Sequence, residues 1–78
     1  MIPFTGKQLQ LIQLLMEQST PIALDEISQL LHAGRRSVYY IVNKTNEVLQ
    51  MNALKPVMCK RGAGYFLLDE QKQQLSAF

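Results

Sequence analysis

Two apolar-periodic segments separated by a three-residue break constrain this chain more than any other feature. Leu24, Ile27, Leu30 and Leu31 recur at helical spacing, and His32-Ala33-Gly34 then interrupts them. Arg35-Arg36-Ser37-Val38-Tyr39-Tyr40 opens a second helical pattern. Short helix, tight turn and longer helix form the layout of a helix-turn-helix. In the longer helix, expected over 35–50, Val38, Val42, Thr45 and Leu49 make an inward stripe. The opposite side carries Arg36, Tyr40, Asn43 and Glu47, flanked by Ser37, Tyr39 and Lys44. Arginine can grip guanine or phosphate, and asparagine can pair with adenine. Tyrosine hydroxyls can donate to phosphates, and the rings can pack on sugars. A water-facing polar side is the bland alternative. Two aromatic rings beside an arginine pair, directly after the turn, favour a nucleic-acid surface.

The remainder reads as scaffold. Thr5-Gly6-Lys7-Gln8 fits a capping box, with Phe4 and Leu9 placed for a hydrophobic staple. Leu9, Ile12, Leu15 and Met16, widened by Leu11 and Leu14, continue a first helix to about Gln18, where Ser19-Thr20-Pro21 breaks it. Pro21-Ile22-Ala23 is short and extended. The second helix spans 24–31, with Ala23 at its N-cap position and no side-chain cap. Asp25 and Glu26 sit in its first turn, where the helix dipole favours negative charge, and Leu24, Ile27, Leu30 and Leu31 form its inward face. Gly34 is expected to take backbone angles costly for other residues, and His32 to be exposed or capping.

The last third changes period. Residues 55–59 and 65–68 read as strands joined by the glycine-bearing loop 60–64. Pro56 fits only an edge or a strand start. A two-stranded hairpin must pack on the helices, which directs the basic tip Lys60-Arg61 toward a neighbouring phosphate or minor groove. A strand follows the glycines, where a phosphate-binding loop would need a helix. Asp69 is expected to cap a further polar helix through 70–75. The expected fold class is mainly α with a small β-hairpin: a winged helix-turn-helix, or three-helix bundle plus wing. Residues 1–68 form the domain, and 69–78 start a linker helix to a downstream domain.

Charge is distributed unevenly. The chain of 78 residues carries only +2, yet 35–61 holds Arg35, Arg36, Lys44, Lys55, Lys60 and Arg61 against Glu47 alone. Positive charge gathered in one segment is the footprint of a phosphate-facing surface. Cys59 is the only cysteine, which excludes an intrachain disulfide and a cysteine-cluster zinc site. It reads as a space-filling strand residue, and the four methionines read as core filler or strand residues. No metal or cofactor is expected. Neither a carboxylate pair nor a nucleophile–base–orienter set can be placed, so no enzyme activity is expected. No apolar run approaches a membrane span and no signal-peptide pattern opens the chain, so a cytoplasmic protein is expected.

Three motifs together carry a family likeness: Leu24-Asp25-Glu26-Ile27-Ser28-Gln29-Leu30-Leu31, Arg35-Arg36-Ser37-Val38-Tyr39-Tyr40, and Gly62-Ala63-Gly64-Tyr65 with Leu67. Over roughly 6–68 the chain resembles the N-terminal winged helix-turn-helix domain of bacterial sugar-phosphotransferase-regulated transcriptional activators. These are the mannitol-operon, antiterminator-like type, and Mga-like regulators have related domains. The resemblance implies sequence-specific binding of double-stranded DNA by the recognition helix, support from the wing, and regulatory domains further along. It carries over onto Arg35, Arg36, Ser37, Tyr39 and Tyr40.

With the residue chemistry added, the expected DNA-binding set is Arg35, Arg36, Ser37, Tyr39, Tyr40, Asn43, Lys44, Lys55, Lys60 and Arg61. Recognition helix 35–50 would enter the major groove, and wing 60–64 would lie on the backbone. A homodimer on a palindromic site is a further expectation. The chain departs from the family at Gly34, where a capping serine is usual, and at Ile41, where an acid is usual. Ile41 either widens the buried stripe or forms a contact surface. With Phe66 and Leu68 it motivates the alternative function, a protein-interaction or dimerisation module with little DNA affinity. An RNA-binding antiterminator is disfavoured, because such modules are largely β-structured.

Overall fold

The computed structural model describes Phe4 and residues 6–77. In chain order these form α1 (Gly6–Glu17), α2 (Leu24–Leu31), α3 (Arg35–Met51), β1 (Met58–Lys60), β2 (Gly64–Phe66) and α4 (Asp69–Ser76). The fold is mostly helical, with one two-stranded antiparallel sheet. The Thr5 half of the expected capping box lies outside the described residues.

The core follows from helical spacing. Val38, Val42, Thr45 and Leu49 are all buried on α3, and Ile41 joins them. They meet Leu11, Ile12 and Leu15 of α1 and Ile27 and Leu31 of α2 in one apolar cluster. Thr45 is the polar member of the stripe, and its hydroxyl donates to the Ile41 carbonyl at 2.7 Å, so no polar atom is stranded. Two leucines expected in the buried faces lie outside them. Leu30 is 52% exposed and Leu9 is 42% exposed. A helix has one inward direction. On α2 it runs through Ile27 and Leu31, and on α1 through Leu11, Ile12 and Leu15, which leaves Leu30 and Leu9 on the flanks.

The turn between α2 and α3 uses its residues differently from expectation. His32, not Gly34, takes the left-handed conformation (φ 52°, ψ 46°). Its N–H donates to the Gln29 carbonyl at 3.3 Å, and the Ala33 N–H donates to the Ser28 carbonyl at 3.0 Å, closing α2. The Ser28 hydroxyl also donates to the Ala33 carbonyl. Gly34 sits in ordinary extended backbone (φ −66°, ψ 165°) as the N-cap of α3 and provides no side-chain cap. The Lys7 ammonium donates to the Leu31 carbonyl, tying the start of α1 to the end of α2.

The hairpin is shorter than expected. Pairing covers Met58↔Phe66, Cys59↔Tyr65 and Lys60↔Gly64. Residues 55–57 stay outside the ladder. Pro56 has no N–H to offer it, and the Val57 N–H is taken by the Asn46 side-chain oxygen at 2.8 Å. On its other side β2 pairs with the extended residue Ile22. The Ile22 N–H donates to the Tyr65 carbonyl and the Tyr65 N–H to the Ile22 carbonyl, both at 2.9 Å. This approach is so close that a Cβ on Gly64 would stand 2.1 Å from the Ile22 carbonyl oxygen, and Gly64 already has φ +125°.

Helix α4 begins after Leu68, which holds the N-cap position expected of Asp69. The buried Gln71 accepts from the Leu68 N–H at 2.7 Å and donates to the Pro56 carbonyl at 2.7 Å. That one amide docks the helix on the α3–β1 connection. Leu75 packs against the core, and the Lys72 ammonium reaches the Gln18 carbonyl.

Replacing Gly64 by alanine adds both backbone strain and a backbone clash, and should cost about 2–4 kcal/mol in urea unfolding. A loss under about 1 kcal/mol would contradict the close approach. His32→Gly should instead stabilise by about 0.5–1 kcal/mol, by relieving the left-handed strain. An unchanged or lower urea midpoint would count against that geometry.

Candidate nucleic-acid interface

The buried stripe of α3 determines what its other side presents. With Val38, Ile41, Val42, Thr45 and Leu49 inward, the 3.6-residue period turns Arg36, Tyr40, Asn43 and Glu47 directly outward, and all four are exposed. Tyr40 is 62% exposed and Tyr39 51%. At 17 residues the helix is about 26 Å long, and a major groove about 12 Å wide admits it.

The two flanks of this face differ. On one, the Lys44 ammonium pairs with Glu47 at 3.3 Å and lies 5.5 Å from the centre of the Tyr40 ring. Exposed pairs of this kind are worth about 0–1 kcal/mol, so Lys44 remains available to a phosphate. Ser37 is exposed at the helix start. The other flank, Arg35 and Tyr39, faces the hairpin. Between them runs an open groove of about 420 Å³, bounded by the N-terminal ends of α2 and α3 and by the β1–β2 turn. Arg35, Tyr39, Lys60 and Arg61 all line it, together with Asp25 and Tyr65.

The fold therefore gathers Arg35, Tyr39, Lys60 and Arg61 into one groove and sets Arg36, Tyr40, Asn43 and Lys44 on the adjoining outer face of α3. Lys55 stands apart from both. Its ammonium lies 4.0 Å from Glu70 of α4, beside the connection docked by Gln71. Two groove residues were missed as site residues in the sequence. Asp25 had been read only as a helix-dipole partner, yet its carboxylate meets the Arg35 Nε at 3.2 Å. Tyr65 reads in the sequence as a strand residue and as the end of the Gly62–Tyr65 motif, with no site role. Its place in the groove depends on pairing with Ile22, whose extended backbone is legible in the sequence but whose distant partner is not.

Burial pushes the Tyr65 phenol above its usual value of 10.0, and proximity to Cys59 and Tyr39 adds to the effect. Tyr65 is thus a neutral hydrogen-bond donor at physiological pH. Cys59 is free and exposed. Among the described residues no group of three or more His, Cys, Asp or Glu could hold a metal ion, and no helix is long and apolar enough to cross a membrane.

A phenol whose folded value lies above its unfolded value holds its proton longer in the folded state. Its contribution to stability is complete below pH 10.0 and is lost as pH rises through the folded value. Urea stability should therefore fall above pH 10.0, and Tyr65→Phe should remove part of that fall. Phenolate absorbance should contain a component titrating above pH 10.0 that Tyr65→Phe removes. Phenolate absorbance above pH 10.0 that Tyr65→Phe leaves unchanged would contradict the placement of Tyr65.

Comparison with protein-family models, with curated proteins and with solved structures finds no significant match.

Proposed function

We propose that this chain is a winged helix-turn-helix domain that binds double-stranded DNA. Here α2 and α3 are the helix-turn-helix, with α3 in the major groove and the β1–β2 hairpin as the wing on the backbone. One observation carries the reading. The outward face of α3 presents Arg36, Tyr40 and Asn43 to solvent, and the hairpin sets Lys60 and Arg61 across a groove from Arg35 and Tyr39. That combination puts base-reading chemistry at the centre and phosphate-gripping chemistry at the edge, which is how protein–DNA contacts divide. Arg36 and Asn43 are the base-reading candidates. Ser37, Tyr39, Tyr40, Lys44, Lys60 and Arg61 are the positioning ones. Lys55 lies too far along the chain's path toward α4 to join the groove, and at most reaches backbone beyond it.

The motifs that resemble sugar-phosphotransferase-regulated activators support a role as the DNA-binding part of a cytoplasmic bacterial transcriptional regulator, working as a binding domain and not an enzyme. A dimer on a palindromic site fits the small size of the surface.

The competing reading, a protein-interaction module, drew on an exposed Ile41, Phe66 and Leu68. Ile41 is buried and Phe66 partly buried, so only Leu68 keeps the expected exposure. What favours that reading now is Leu30, beside a shallow groove with Leu14 and Leu31 on the α1–α2 side.

Selection from a randomised duplex pool, followed by polarisation titration of the enriched site, tests the reading. Binding should weaken steeply with salt, because phosphate neutralisation releases counterions. Arg36→Ala should cost about 1–3 kcal/mol on the selected site and much less on random duplex. Replacing Lys60 and Arg61 by alanine should weaken all duplexes alike and flatten the salt dependence by about two phosphate contacts. No enrichment, together with no duplex affinity at low salt, would overturn the proposal.

A further inference from the structure

Asp25 is the one acidic residue lining the groove, set among Arg35, Lys60 and Arg61. Its carboxylate holds the Arg35 Nε at 3.2 Å, and both side chains are more than two-thirds exposed. The contact joins the first turn of α2 to the first residue of α3. Helix α2 does not need this carboxylate in particular, because Glu26 also sits in its first turn. The core does not need it either, since exposed pairs contribute little to stability. What the carboxylate does change is the groove. It neutralises one of three cations and places a negative charge where a phosphate would have to approach.

We infer that Asp25 is an electrostatic brake on polyanion binding: it occupies Arg35 and keeps one phosphodiester contact of the groove unmade. The inference rests on the duplex-binding reading above. It names the residue that limits affinity at that same surface. A phosphate entering the groove must either displace the Asp25 carboxylate from Arg35 or bind with one cation fewer. The brake is local, because it acts through one guanidinium. It is also weak enough to be overcome at a site where base contacts add to the phosphate contacts. Its effect is therefore largest on non-specific duplex, and it widens the gap between specific and random DNA.

Asp25→Asn, the intact 78-residue chain and a labelled random-sequence duplex test this. The amide keeps the size of the side chain and can still accept a hydrogen bond at the helix start, and a thermal melt confirms folding. Asp25→Asn should bind random duplex about three- to tenfold more tightly at low salt, with a salt dependence steeper by about one phosphate contact. Glu26→Gln removes the same charge one residue away without touching Arg35, and should change affinity less than twofold, within the usual scatter for an exposed charge. In an Arg35→Ala background, Asp25→Asn should give no gain.

Equal gains from Asp25→Asn and Glu26→Gln, or a gain that survives Arg35→Ala, would replace the brake by a general charge effect and overturn it. Wild-type binding that Asp25→Asn leaves unchanged or weakens would overturn the brake while sparing the duplex-binding reading. Absence of binding by both wild type and Asp25→Asn would remove both together. Binding that emerges only with Asp25→Asn would support the brake and count against duplex binding by the unaltered chain.

Discussion

Two backbone hydrogen bonds between Ile22 and Tyr65 hold the candidate surface together. They tie the hairpin to the connection between α1 and α2, and so fix the distance between β2 and the start of α3. The tie is possible only because residue 64 has no side chain. A Cβ there would overlap the Ile22 carbonyl. A two-stranded hairpin is marginal on its own, and the Ile22 pairing in effect adds a third strand. With the hairpin anchored, Lys60 and Arg61 face Arg35 and Tyr39 across the groove. Without that anchor, the same basic residues would sit on a loose ribbon and the groove would have no second wall.

The helical part makes its own contribution through one division of labour. The inward stripe of α3 is almost wholly apolar, and its single polar member, Thr45, is satisfied within the helix. Nothing on the outward face is therefore needed for folding. Arg36, Tyr40 and Asn43 make no ion pair or side-chain hydrogen bond within the described residues. Their exposure leaves their donors and acceptors to an external ligand. The acids beside this surface, Asp25 and Glu47, each pair with a cation of the same surface. Net charge is thereby restrained where it is densest, which favours a ligand that makes several contacts at once over one that merely carries charge.

Periodic features were legible in the sequence and long-range ones were not. Val38, Val42, Thr45 and Leu49 repeat over about three turns, and so long a stripe leaves one inward direction. Helix α2 has only two turns, and four leucine or isoleucine side chains spread over them can be rotated either way. Leu30 went outward because α1 and α3 cover Ile27 and Leu31 instead. Ile41 borders the α3 stripe, where its side could be read either way, and it is buried. The turn was legible as a break, but its strained residue was not. Glycine at 34 suggested a left-handed position, yet closure of α2 requires that conformation two residues earlier, at His32. Gln71 gave only a local hint, as a third-position glutamine in a helix start, and nothing local announced its bond to Pro56. On the candidate surface, the residues of α3 were readable from spacing alone. Asp25 and Tyr65 enter the groove through contacts far apart in sequence.

Mapping backbone amide shifts of the folded chain during titration with a short duplex at low salt tests the central claim most directly. The account predicts that Arg36, Tyr40 and Asn43 on α3 shift together with Lys60 and Arg61 on the hairpin, while Leu14 and Leu30 stay still. Shifts centred on Leu14 and Leu30, or no shifts at all with the fold intact, would contradict it.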